Sequence, residues 1–166
     1  FDRNLAPNIP IVSSDNFEGG RMAAKLLKKH GCQHPIMIAG KDNSNSPTGL
    51  RQLGFKSVFA QAPIFHLSGE LSIIRKEMEI KVILQNEKPD GIFLSDDMTA
   101  ILTMKIANQL NITIPHELKI IGYDGTHFVE NYYPYLTTIR QPIKDIAHLL
   151  VDVLLKKIDH QDIPKD

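Results

Sequence analysis

Two polar side chains stand where predicted strands end, and they are the first candidates for chemistry. Ser95 follows the apolar run 91–94, and Asp124 follows the run 119–122 just before Gly125. In an open parallel sheet the carboxyl ends of the strands share one edge, and ligands bind there. A carboxylate at this edge can accept hydrogen bonds from two adjacent hydroxyl groups. We therefore expect Ser95 and Asp124 to bind a ligand. The alternative is that Ser95 is an ordinary strand-end residue and Asp124 an ordinary turn residue.

Arg51 is a third candidate, on a helix predicted over 48–59. A guanidinium offers a planar fork of donors that fits ring and hydroxyl oxygens. The alternative is a solvated helix arginine. Asp96 and Asp97 follow Ser95, and we interpret Asp96 as a helix N-cap and Asp97 as first-turn charge that complements the helix dipole. With Asp124 they could also mimic an acidic phosphate-transfer pocket, a weaker interpretation.

The elements that must position these residues alternate along the chain. Apolar runs bounded by turn residues are followed by amphipathic segments at a rhythm of roughly 20 to 30 residues, which is typical of βαβ units. This pattern predicts an α/β fold with a doubly wound parallel sheet covered on both faces. The predicted strands cover residues 9–13, 35–39, 62–66, 91–94, 119–122 and 136–139. The predicted helices cover residues 16–30, 48–59, 69–86, 98–110 and 143–158.

The composition excludes several classes of protein. The chain has 166 residues, enough for one domain with a hydrophobic core. Lys+Arg and Asp+Glu number 19 each, so the net charge is zero and these residues do not suggest a DNA-binding surface. No apolar run approaches the roughly 20 residues of a membrane helix. The single cysteine, Cys32, excludes an internal disulfide and fits a reducing cytoplasm.

Enzyme signatures are missing from the sequence. It contains no Gly-x-Ser-x-Gly nucleophile elbow and no Gly-x-Gly-x-x-Gly dinucleotide motif. The seven histidines do not form a metal set. His30 and His34 are four residues apart, but Gly31 and Pro35 break the helix that would align them. We therefore expect a protein that is not an enzyme and has no cofactor and no metal, although an enzyme on the same fold stays possible.

Five short motifs run in order through nearly the whole chain. They are Asp15-Asn16-Phe17-Glu18-Gly19-Gly20, Leu50-Arg51-Gln52-Leu53-Gly54-Phe55, Asp90-Gly91-Ile92-Phe93-Leu94-Ser95-Asp96-Asp97-Met98, Ile121-Gly122-Tyr123-Asp124 and Leu136-Thr137-Thr138-Ile139-Arg140-Gln141-Pro142. Together they resemble the LacI/GalR family of bacterial transcription regulators, in its effector-binding domain. The chain looks most like the branch that answers to ribose, sucrose or related sugars. The resemblance implies a periplasmic-binding-protein-like fold with two lobes and a ligand cleft between them.

The resemblance also implies roles for single residues. Asp124 and Arg51 match positions that contact the ligand in the family. Asp2 matches a contact from the opposite lobe, the alternative being a surface loop carboxylate. Gln141 matches a cleft residue where the chain crosses between lobes, the alternative being a helix N-terminal cap.

Two positions depart from the family pattern. Many relatives have Asn where this chain has Ser95, so an amide is replaced by a hydroxyl. Leu71 stands where an aromatic residue often stacks on a sugar, which suggests a small or differently oriented ligand. Phe17 and Phe65 could partly replace that ring. The alternative, which is more common for phenylalanine, is that both pack in the hydrophobic core.

The expected domain organisation also follows from the resemblance. Residues 1–15 belong to part of an N-terminal lobe, residues 16–138 form the C-terminal lobe, and residues 139–166 return to the N-terminal lobe as a helix. One full lobe is thus expected with part of a second. The sequence starts with Phe1 and looks cut, so a helix-turn-helix DNA-binding domain is expected to be absent from this chain.

The resulting functional hypothesis is the effector-binding domain of a cytoplasmic, sugar-responsive repressor. A small sugar or sugar phosphate binds between the lobes and switches operator DNA binding by the missing N-terminal domain of a homodimer. Tyr132, Tyr133 and the helix at 99–110 are candidates for the subunit interface, the alternative being local packing. No membrane partner is expected. An exported sugar-binding protein of a transporter is the alternative function.

Overall fold

The computed structural model describes residues 10–40, 45–67 and 72–161. Five parallel strands form one sheet in the order β2-β1-β3-β4-β5. The strands are β1 Pro35–Gly40, β2 Ile64–Leu67, β3 Gly91–Leu94, β4 Lys119–Asp124 and β5 Thr137–Arg140. The helices are α1 Asn16–Lys29, α2 Pro47–Lys56, α3 Ile73–Glu87, α4 Asp97–Gln109, α5 His127–Tyr132 and α6 Ile143–Ile158. The predicted α/β class with a parallel sheet is confirmed.

The helices lie on both faces of the sheet because side chains alternate along each strand. In β1, Ile36 and Ile38 face one hydrophobic cluster, whereas Met37 and Ala39 face the other. The first cluster receives buried side chains from α3, α4 and α5, among them Ile80, Leu84, Ala100, Ile106 and Val129. The second receives them from α1 and α2, namely Ala23, Ala24, Leu27 and Phe55. The sheet is therefore doubly wound, as predicted.

Two local predictions differ from the structure. The strand predicted at 9–13 is wrong for residues 10–13, which are irregular. Val12 is buried, but within the described sheet β5 is the edge strand, and no strand pairs with this segment. Helix α5 was not predicted, because six residues are too few to show a helical period.

Helices α1 and α2 approach each other backbone to backbone at two glycines. A Cβ atom at Gly20 would overlap the carbonyl of Arg51, and one at Gly54 would overlap the carbonyl of Phe17. Only glycine allows so close an approach. This contact fixes α2 closely against α1 and hence fixes the position of Arg51 relative to α1.

The strand order reverses between β1 and β3. The chain passes from β1 outward to β2 and then returns to β3 on the other side of β1. The crevice at the carboxyl ends of two such strands is the usual ligand site of open α/β sheets. Here the Ser95 N–H, just beyond β3, donates to the carbonyl of Ile38 in β1 at 3.1 Å.

Helix α6 is amphipathic but largely exposed within the described structure. Only Ile146 of its apolar residues is buried, whereas Leu149, Leu154 and Ile158 are more than half exposed. Within residues 10–40, 45–67 and 72–161, no helix combines the length and the apolar character needed to cross a membrane.

Candidate functional site

Four of the six predicted site residues lie together at the carboxyl edge of the sheet: Arg51, Ser95, Asp124 and Gln141. Arg51 bonds to Ser95, and Gln141 bonds to Asp124. The other two, Asp2 and Leu71, lie outside the described residues. The four candidates within the described residues therefore lie at one place in the fold, and the roles of Asp2 and Leu71 stay predictions.

Arg51 is buried, with 6% of its surface exposed, so the alternative of a solvated arginine is wrong. Its Nε donates to Asn16 Oδ1 at 2.8 Å, and one Nη donates to the carbonyl of Ser95 at 2.7 Å. The centre of the guanidinium lies 3.7 Å from the centroid of the Tyr123 ring, a cation–π contact. These three contacts hold the fork in one orientation and leave its remaining N–H groups for a further acceptor.

Ser95 is 5% exposed and is the first residue after β3. Its backbone carbonyl accepts the bond from Arg51, and its N–H donates to β1. The residue is therefore a backbone junction between two strands and α2. The role predicted for its hydroxyl in ligand binding stays a prediction.

Asp124 ends β4 in a strained conformation, with φ of 125°. Non-glycine residues rarely adopt positive φ values, and such strain is often found at binding sites. Burial raises the pKa of the Asp124 carboxyl above its usual range, and repulsion from Asp97 and Asp96 adds to this effect. The hydrogen bond from Gln141 and the charge of Arg51 lower the pKa and oppose it. A half-buried carboxylate within reach of a guanidinium charge is well suited to accept hydrogen bonds from the hydroxyl groups of a ligand.

Gln141 does not cap α6, so the cap alternative is wrong: the N-cap position is Pro142, and it makes no side-chain cap bond. Gln141 Nε2 instead donates to Asp124 Oδ1 at 2.7 Å. Ser14 Oγ donates to Gln141 Oε1 at 3.0 Å. The chain segment before α1 and the segment after β5 are thereby joined to each other and to Asp124.

The two acidic residues at the start of α4 have different roles. Asp96 is the N-cap, as predicted, and accepts from the Thr99 N–H at 2.8 Å. Asp97 lies in the first turn, as predicted, but it is only 2% exposed. It accepts from the Gly125 N–H at 2.8 Å and from Thr138 Oγ1 at 2.6 Å. Burial raises the pKa of Asp97, whereas these two hydrogen bonds lower it.

Sequence reasoning missed four residues of this arrangement: Asn16, Tyr123, Asp97 and Ser14. The N-cap of α1 is Asp15, which accepts from the Glu18 N–H, and the side chain of Asn16 binds Arg51 instead. The available signal for Asn16 and Tyr123 was their place in two of the five motifs. No local pattern indicates that Asp97 binds Gly125 and Thr138 or that Ser14 binds Gln141.

Two surface depressions lie elsewhere on the domain. One, of about 480 Å³, opens at the amino ends of the strands, near Pro35, Ala62 and Glu87. The other, of about 500 Å³, lies between β2 and α3, near Phe65 and Met78. Neither includes Arg51, Ser95, Asp124 or Gln141. Among the described residues, no group of three or more His, Cys, Asp or Glu side chains could hold a metal ion.

Known proteins match this chain in sequence and in domain family. Residues 24–166 match the periplasmic binding protein-like domain. The chain is 99% identical over 166 residues to the sucrose operon repressor of Streptococcus mutans, and it covers 52% of that protein. It is 46% identical to the sucrose operon repressor of Lactococcus lactis, with 98% of this chain and 51% of that protein aligned. The chain thus spans about half the length of these curated relatives.

A solved structure agrees in both fold and sequence. The periplasmic binding protein/LacI transcriptional regulator of Alkaliphilus metalliredigens, complexed with D-xylulofuranose, superposes with a TM-score of 0.77 at 31% identity. The match covers 98% of this chain and 62% of that one. On the family match, the repressor relatives and this structural neighbour, the chain belongs to the periplasmic binding protein-like domains, in the effector-binding form found in LacI/GalR transcriptional regulators.

Proposed function

We propose that this chain is part of a sugar-responsive transcriptional repressor and binds a small sugar or sugar phosphate as its effector. The relatives named above are sucrose operon repressors, and the structural neighbour holds a sugar. These names favour a regulator over the exported sugar-binding protein that the sequence left open. They also support a binding role without catalysis, in the cytoplasm where a repressor works.

The observation that carries the proposal is that a buried guanidinium, Arg51, and a carboxylate whose pKa its charge lowers, Asp124, both lie at the carboxyl edge of the sheet. The guanidinium is held by Asn16, Ser95 and Tyr123, and the carboxylate is held by Gln141. A fixed donor and a fixed acceptor beside the strand-order switch suit a ligand with several hydroxyl groups. Because the protein holds both groups in advance, little ordering is required when the ligand binds.

We propose further that residues 1–15 and the chain after β5 belong to a second lobe, which contributes the opposite wall of the cleft. The bond between Ser14 and Gln141 supports two adjacent lobe crossings. The exposed apolar side chains of α6 support a helix that packs on a part of the protein outside this chain. A ligand between the lobes can shift their arrangement only through a higher affinity for one of the two states.

The DNA-binding part of this repressor would lie in the half of the relatives that the chain does not span. We propose a homodimer as the working form. Tyr132 is 70% exposed on α5, and Ile73, Ile74 and Met78 on α3 are each more than 60% exposed. Tyr133 packs against the core and is a weaker interface candidate. Exposed aromatic and apolar residues of this kind are favoured in subunit contacts.

Replacing Asp124 by Ala in the full-length protein tests the proposed function. We expect sugar binding to weaken at least about a hundredfold, because a charge-assisted acceptor is lost from the site. Isothermal calorimetry with sucrose, D-ribose and their phosphate esters measures the affinity. Circular dichroism checks that the fold is retained.

Glu87→Ala provides the matched control, because Glu87 is an exposed carboxylate at the far end of α3. We expect its affinity to equal that of the wild type. Unchanged affinity in Asp124→Ala would refute the assignment of the site. A wild-type protein that binds none of these sugars would refute the proposed effector class.

A further inference from the structure

We propose that Asp97 is a positioning residue, whose buried carboxylate holds the Asp124–Gly125 turn in the conformation that binds ligand. This inference rests on the proposed role of Asp124 in the effector site. Asp97 itself lies on α4, a different element from the strand that carries Asp124.

The first step of the argument is the strain in the turn. Asp124 has φ of 125° and Gly125 has φ of 61°, so two consecutive residues have left-handed backbone angles. Glycine adopts such a conformation readily, but aspartate does so only when its surroundings impose it. Without external bonds we expect the turn to relax and to carry the Asp124 carboxylate away from Arg51.

The second step is to identify the groups that impose this conformation. From the β5 side, the Gln141 N–H donates to the carbonyl of Asp124 at 3.0 Å, and the Gln141 side chain binds the carboxylate. From the α4 side, Asp97 Oδ2 accepts from the Gly125 N–H at 2.8 Å. Asp97 is thus the α4 residue whose side chain binds the backbone of Gly125, directly after the strained Asp124.

The third step concerns the anchoring of Asp97. Its other oxygen, Oδ1, accepts from Thr138 Oγ1 at 2.6 Å, and the missing side chain of Gly122 makes room for that oxygen. The carboxylate is therefore fixed between β4, β5 and the start of α4. Burying a carboxylate is unfavourable unless its oxygens are hydrogen-bonded. Asp96 provides the cap of α4, so Asp97 is not required for that task.

Hydrogen exchange in the full-length, ligand-free protein tests the proposal without any effector. In Asp97→Ala, we expect the backbone amides of residues 121–128 to exchange at least about tenfold faster, because the Gly125 N–H loses its acceptor. Amides of residues 35–40 in β1 should exchange at the wild-type rate. A general loss of stability would instead accelerate both segments.

Two further variants separate positioning from bulk stability. Asp97→Asn can accept from the Gly125 N–H with its oxygen and donate to Thr138 Oγ1 with its amide, so we expect near wild-type exchange. Thr138→Val removes the bond to Oδ1 but leaves the bond to Gly125, so residues 121–128 should exchange more slowly than in Asp97→Ala. With sucrose as the probe, binding should weaken at least about tenfold in Asp97→Ala and stay within about threefold in Asp97→Asn.

The outcomes separate this inference from the proposed function. Equal acceleration of both segments in Asp97→Ala, or fast exchange at 121–128 in Asp97→Asn, would overturn the positioning role. Absence of sucrose binding in the wild type would count against the effector, whereas the exchange pattern would still decide the role of Asp97.

Discussion

Replacing Arg51 by Met tests whether the buried guanidinium organises the site. Methionine keeps most of the aliphatic stem but provides no donor. The carbonyl of Ser95 and the side-chain oxygen of Asn16 would each lose the N–H that they now bind at 2.7 and 2.8 Å. The stacking on Tyr123 would lose its charge. All three contacts are made by buried residues.

The size of the effect follows from those contacts. A buried acceptor that loses its donor costs about 1 to 3 kcal/mol. Asn16 Oδ1 keeps a long hydrogen bond from the Tyr123 hydroxyl, at 3.4 Å, so the free-energy cost of its lost donor is smaller. The cation–π contact contributes about 1 kcal/mol. We expect the free energy of unfolding to fall by about 3 to 4 kcal/mol, and the melting temperature by about 10 °C.

Urea denaturation followed by circular dichroism measures this change. Lys56→Met is the control, because Lys56 lies on the same helix and makes one exposed bond, to the carbonyl of Ala60. The control should change the free energy by less than about 0.5 kcal/mol. If Arg51→Met is no more destabilising than the control, Arg51 is a surface residue and the argument for a preformed donor fails.

Two further predictions concern pH and assembly. Burial raises the pKa of Asp97 above its ordinary value of 3.8, so the folded state holds this proton at higher pH than the unfolded chain. The resulting stabilisation is present below that ordinary value and is lost as the pH rises through the raised pKa. Asp97→Asn should therefore gain stability relative to wild type as the pH rises above this ordinary value of 3.8, and a difference in the free energy of unfolding that does not change with pH would contradict this. Tyr132→Lys, at a 70% exposed position, should weaken the dimer proposed for the full-length protein at least about tenfold in sedimentation velocity, whereas Glu87→Lys should not. Unchanged self-association in Tyr132→Lys would exclude α5 from the interface.

Local patterns were sufficient to predict most elements of the fold. Apolar runs such as 35–39 and 91–94 end at turn residues, and helices such as α6 show a clear apolar stripe. Each of these patterns is contained within a few neighbouring residues, so it can be recognised from the sequence alone. Helix α5 has too few residues to carry such a signal, and the irregular segment 10–13 resembles a strand only in its composition.

The site was only partly predictable because its contacts join distant residues. Ser95 and Asp124 could be placed at one edge from the strand pattern alone. The burial of Arg51 depends on Asn16 and on Ser95, which are 35 and 44 residues away in sequence. The partners of Asp97 are 28 and 41 residues away. The cap at Asp96 could be predicted from its place before the helix, but the partners of Asp97 follow only from the fold.

The glycine contacts between α1 and α2 have a mechanical consequence. At Gly20 and Gly54 no layer of rotatable side chains separates the two backbones, so sliding one helix past the other meets hard repulsion instead of a change of rotamer. Helix α1 begins next to Ser14, at the proposed lobe crossing, and α2 carries Arg51. The two helices therefore move together as one rigid body. A tilt of the chain at the proposed lobe crossing would then displace the Arg51 guanidinium by the same rigid-body motion.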